Sequence, residues 1–115
     1  MTVDECLFLI RHDTWSKNYF SSNEGWHLYA VEYCLDMLDV GKRNYVVPIE
    51  VWHKSDGVSL DYLYCDQVLK LLEKYKDKYK YINTTVKQWS TSLYGRKIYI
   101  PYYRIKQKIK HFVKR

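Results

Sequence analysis

Between Trp26 and Val40 the apolar side chains run almost all the way round a helix, and such a helix must be heavily buried. Trp26, Tyr29, Ala30, Tyr33, Met37 and Val40 recur at three- and four-residue steps. Leu28, Val31, Leu35 and Leu38 widen that face, leaving Glu32, Asp36 and Asp39 on the remainder. Gly41 stands where a left-handed glycine closes a helix.

Two short apolar runs flank this helix. Cys6–Ile10 reads as a buried strand, followed by a polar, turn-rich loop over 16–25. Tyr45–Trp52 reads as a second strand, with Pro48 marking an edge, a bulge or an end. A second helix follows a loop at 53–57, with Ser59 as N-cap and Asp61 in its first turn. Its apolar stripe is Leu60, Tyr64, Val68, Leu71, Leu72, Tyr75 and Tyr79, and Lys70, Glu73, Lys74, Lys76 and Asp77 form a solvated face. Residues 80–97 signal weakly, with alternation at Tyr81-Ile82 and Trp89-Ser90-Thr91. Ile98-Tyr99-Ile100 is an apolar run that Pro101 should end, after which Ile105, Ile109, Phe112 and Val113 mark a short basic amphipathic helix. Strand, helix, strand, helix favours an α/β fold over a bundle.

Charge divides the chain. Residues 1–77 hold all 13 acidic side chains and 8 basic ones, whereas residues 78–115 hold 11 basic side chains and no acid. The last third therefore points to an anionic partner, or is a solvated basic tail. With 115 residues, 47% of them hydrophobic, the chain is long enough for one domain or a piece of a larger one, and disorder is excluded. Cys6, Cys34 and Cys65 form no Cys-x-x-Cys pair, which fits a reducing, cytoplasmic compartment. The acidic start lacks the basic region of a signal peptide, and no apolar run approaches the roughly 20 residues of a membrane span.

The most distinctive stretch is Glu24-Gly25-Trp26-His27-Leu28-Tyr29-Ala30-Val31-Glu32-Tyr33-Cys34-Leu35, then Gly41, Tyr45-Val46-Val47-Pro48 and Trp52-His53-Lys54-Ser55. Together with Val3-Asp4-Glu5-Cys6 and Arg11 upstream, this order resembles the second half of family 2-like glycosyltransferases with the GT-A fold, over about residues 3–90. The resemblance implies a partial GT-A, Rossmann-like α/β fold: an acceptor-side half-domain over 1–97, with a basic amphipathic segment over 98–115 outside it. In that family the first half binds the nucleotide-sugar through an Asp-x-Asp motif and a divalent metal, Mg or Mn. The second half supplies the acceptor site, a base and often a late metal-contacting histidine. This sequence contains neither Asp-x-Asp nor a Gly-rich phosphate loop, so whether it acts alone as an enzyme stays open.

His53 matches the late histidine; past a strand end it can meet a metal or a pyrophosphate, or simply bond the backbone. The family's acidic pair at the helix start is absent, which leaves His27, Glu24 and Glu32 as candidate bases. An imidazole accepts a proton near neutral pH, whereas a carboxylate needs burial to do so. Glu32 has solvent as its alternative surroundings, and Glu24 a role as partner of the helix dipole. Trp26, Tyr29 and Trp52 offer ring faces to a sugar, with core packing the competing role, chiefly for Tyr29.

The leading expectation is thus a chain that takes part in sugar transfer from a nucleotide-sugar to a glycan or lipid-linked acceptor hydroxyl. Residues 102–115 would touch an anionic membrane, placing the protein peripherally at its inner, cytoplasmic face. The alternatives are a small basic module for nucleic acid or anionic membrane, or an inactive, truncated remnant. The acidic front and the lack of a nucleic-acid signature disfavour nucleic acid.

Overall fold

A computed structural model describes residues 7–21, 27–50, 52, 54, 62–84 and 87–113. In chain order these form α1 (His12–Trp15), α2 (Tyr29–Asp39), α3 (Tyr62–Tyr75), β1 (Tyr81–Asn83), β2 (Gln88–Ser90), a π-helical turn (Gly95–Tyr99) and α4 (Ile100–Val113). The observed fold is mixed, with helices and one two-stranded sheet, β1 beside β2. The chain separates into two compact units, residues 1–53 with 83–87, and residues 54–82 with 88–115.

In the first unit α2 carries the burial its pattern demands: Ala30, Val31, Tyr33, Cys34, Leu35 and Met37 are all buried. It begins later than the periodicity predicts, because Leu28 adopts a left-handed conformation (φ 67°) that no helix continues through. Its end is as expected. Gly41 is left-handed (φ 76°), its N–H bonds Leu38 O at 3.0 Å, and Lys42 N–H bonds Met37 O at 2.8 Å. These two bonds make the Schellman closure. Asn44 Nδ2 then donates to Cys34 O at 2.9 Å, folding the chain back along the helix.

The two segments read as strands are not strands. Residues 7–10 and 44–50 pair with nothing in a ladder, and Leu7, Leu9, Tyr45, Val46, Val47 and Ile49 are exposed. Their composition favours a pleated, half-buried surface, but a strand exists only against a neighbour, and none of the described residues supplies one. Phe8 alone of this group finds a ring partner, meeting Phe20 and Tyr29 at 5.8 and 6.0 Å.

The second unit is built on α3 and α4. Tyr64, Val68, Leu71, Leu72 and Tyr75 are buried on α3 as the stripe predicts, while Leu60, Ser59 and Asp61 lie outside the described residues. The weakly signalled region is a hairpin: Ile82 and Trp89 are buried while Tyr81 faces out, the alternation of a strand with one covered face. The turn itself, residues 83–87, is grouped with the first unit; in it Thr84 N–H and Oγ1 both donate to Lys87 O. Trp89 is the centre of the unit, with the rings of Tyr64, Tyr99 and Tyr103 at 6.3, 6.5 and 5.8 Å.

Pro101 does not end the apolar run at 98–100 as expected; it sits in the first turn of α4. A proline in a continuous helix would meet the carbonyl four residues back and leave it without a donor. Here that carbonyl belongs to Lys97, inside the π-helical turn, where the wider spacing makes room. The helix therefore runs on, and residues 98–113 fall in the second unit together with α3 and the strand residues 81–82 and 88–90. No helix among the described residues is long and apolar enough to cross a membrane.

Candidate functional site

Of the sequence-nominated residues, His27, Tyr29 and Glu32 lie within six consecutive positions at the start of α2. His27 directly precedes the left-handed Leu28 and is half-buried. The turn at Leu28 costs on the order of 1 kcal/mol or more for a branched side chain, and strain of this kind collects at functional positions. Glu32 lies in the first helical turn with its N–H bonded to Leu28 O at 2.8 Å. It is only 7% exposed, where the sequence left a solvent-facing role open. A carboxylate is rarely so buried, and the helix N-terminus is the end that favours its charge.

Tyr29 packs in an aromatic cluster rather than standing open. Its ring meets Phe20 edge-on at 5.6 Å, and Phe20 in turn contacts Trp15 and Tyr33 at 4.9 and 5.0 Å. Tyr33 is buried, and burial, with a smaller contribution from Cys34, holds its phenol above the ordinary range. Its hydroxyl has no hydrogen-bond partner. A buried hydroxyl left unpaired costs about 1–3 kcal/mol.

Trp52 is 95% exposed. Glu24, Trp26 and His53 lie outside the described residues. Among the described residues no three His, Cys, Asp or Glu side chains converge on a point that would hold a metal. The described residues therefore do not complete the ligand set that the resemblance implies. Cys34 and Cys65 are buried and stand outside any disulfide.

The second unit holds a feature that reading the sequence segment by segment missed. Lys76, Lys78, Lys80 and Arg96, with Asp77 among them and Thr91 opposite, line an open cleft of about 510 Å³ between the end of α3 and the turn after β2. Thr91 Oγ1 reaches the carbonyls of Tyr79 and Lys80 at 2.5 and 3.0 Å, fixing one wall. Arg96 Nε donates to Thr91 O at 2.8 Å, and its guanidinium also pairs with Glu73 on α3. Lys76 Nζ meets the same carboxylate at 2.7 Å, and these two cations, Lys76 first, hold Glu73 below the usual carboxylate range. The signal available was the change of charge after Asp77, but it does not say that Lys76 to Lys80 and Arg96 meet. The chain matches no protein-family model, no curated protein and no solved structure.

Proposed function

We propose that the first unit is the acceptor-facing part of a glycosyltransferase, working with a donor-binding half that this sequence does not contain. One observation carries the reading. Residues 7–10 and 45–50 have strand composition yet join no ladder among the described residues, with side chains as apolar as Leu9 at 88% exposure. Apolar strand residues without a sheet are what one half of a divided sheet presents to the other. The motif Trp26-His27-Leu28-Tyr29 sits between these two segments in the chain, at the strained start of α2.

In this reading His27 takes the proton of the acceptor hydroxyl as that oxygen attacks the anomeric carbon. The bond from that carbon to the nucleoside diphosphate breaks, and the diphosphate leaves with the electron pair. The aromatic cluster of Phe20, Tyr29 and Tyr33 forms the apolar floor on which a sugar ring rests.

Mono- and oligosaccharide acceptors titrated into isotope-labelled protein should shift the His27 and Tyr29 resonances, and His27→Ala should abolish the response of its neighbours. Nucleotide-sugars alone should be neither hydrolysed nor transferred. If no carbohydrate perturbs the first unit, or if the chain hydrolyses nucleotide-sugars unaided, the proposal is wrong. A second reading, a binding module for an anionic partner, is supported by the lysine-lined cleft and concerns the other unit.

A further inference from the structure

Helix α4 has two faces, and both are apolar. One is the inner face: Ile100 is buried and Tyr103 packs on Trp89. Arg104 on its border pairs with Asp66 of α3, Nη2 to Oδ2 at 2.9 Å. The other face carries Ile98, Tyr102, Ile105, Ile109 and Phe112, spaced by four, three, four and three residues, with Val113 beside them. All six are exposed, Phe112 to 88%. A helix carrying one apolar stripe usually buries it; this one is held to α3 by its inner side and presents the second stripe outward over about 21 Å, from Ile98 in the π-helical turn to Phe112.

Basic side chains border the outward stripe on both sides. Lys106 and Lys110 lie along one edge, Lys97 and Lys108 along the other. Lys108 also stands over the Tyr62 ring at 5.3 Å. No acidic residue occurs after Asp77.

We propose that this face is a docking surface for an anionic lipid bilayer, on which α4 lies in the plane of the interface. The apolar stripe enters the boundary between headgroups and acyl chains, and the lysines meet lipid phosphates on either side. Charge complementarity selects this occupant. A second copy of the chain would bring lysine edges against lysine edges, with no carboxylate on α4 to compensate. A nucleic acid would satisfy the lysines but offer nothing apolar to Ile98, Ile105 and Ile109. The helix is too short and too charged to span, so binding is reversible and weakens with salt.

The test is flotation of the intact protein with phosphatidylcholine vesicles, with and without phosphatidylglycerol, across a salt series. Binding should require the anionic lipid and fall steadily toward about 0.5 M salt. Ile105→Asp with Ile109→Asp should lower partition by about tenfold or more, and because both positions are exposed the circular dichroism should not change. Lys106→Glu with Lys110→Glu keeps the stripe intact and should lower partition by about a hundredfold. A Phe112→Trp probe should shift its emission to the blue on anionic vesicles. Any of three results overturns the proposal: no uptake by anionic vesicles, oligonucleotide binding that survives the Ile105/Ile109 pair while vesicles are ignored, or a dimer that those substitutions dissolve. Because these residues lie in the second unit, the outcome is independent of sugar binding by the first.

Discussion

Two glycines hold their positions for different reasons, and substitution should tell them apart. Gly41 closes α2 at positive φ, with open space where a side chain would go. Alanine there strains only the backbone and should cost about 1 kcal/mol. Gly95 opens the π-helical turn against the strand end, and a Cβ would run into the carbonyl of Ser90. Alanine there must push backbone from backbone, so Gly95→Ala should cost about 2–3 kcal/mol. Urea unfolding followed by tryptophan fluorescence measures both, and equal losses would refute the close approach. Gly41 was recognisable from its place after an apolar helix. Gly95 was not, because its constraint comes from a strand end that approaches it only once the chain has folded.

At the scale of elements, α3 is joined to the turn before α4 by Glu73 and Arg96, with Lys76 sharing the carboxylate. Both cations lower the Glu73 pKa from its ordinary 4.5, the hydrogen bond from Lys76 contributing first. A carboxylate depressed in the folded state adds stability that is complete above its unfolded pKa and is lost as pH falls through the folded one. Glu73→Gln should therefore be less stable than the parent at neutral pH, and the gap should close as pH drops below 4.5. Denaturant titrations at a series of pH values check this; a gap unchanged into strong acid would show that the link contributes nothing. The helices themselves were readable as periodic stripes. Their joints were not, since Glu73 and Arg96 are 23 residues apart and nothing local pairs them.

For the molecule as a whole, two sets of exposed apolar side chains among the described residues are contiguous, the strand-like segments of the first unit and the outward face of α4 in the second. If the first set awaits a sheet, then Leu9→Ser and Val47→Ser should leave the chain's own stability within about 0.5 kcal/mol of the parent. The same changes should reduce self-association, which sedimentation would detect. A loss of several kcal/mol would mean that these side chains are buried in solution and would remove the main support for a divided sheet.

Periodicity alone was enough to place α2 and α3 with their buried stripes, because helical hydrogen bonds close within the segment and a repeated apolar face needs only local spacing. It also marked α4 as a helix, but its stripe of Ile105, Ile109, Phe112 and Val113 is exposed. The left-handed closure at Gly41 followed from the same local rules. Strands obey no such local closure. The runs at 6–10 and 45–52 have the composition of strands, yet their described residues pair with nothing, whereas the faint alternation near Ile82 and Trp89 became the sheet that does form. Folding also settled the burial of Glu32, the cleft between Lys76 and Arg96, and the continuation of α4 through Pro101. Each depends on residues distant in the chain or on a widened turn, and such meetings are set by packing, which no one-dimensional spacing records.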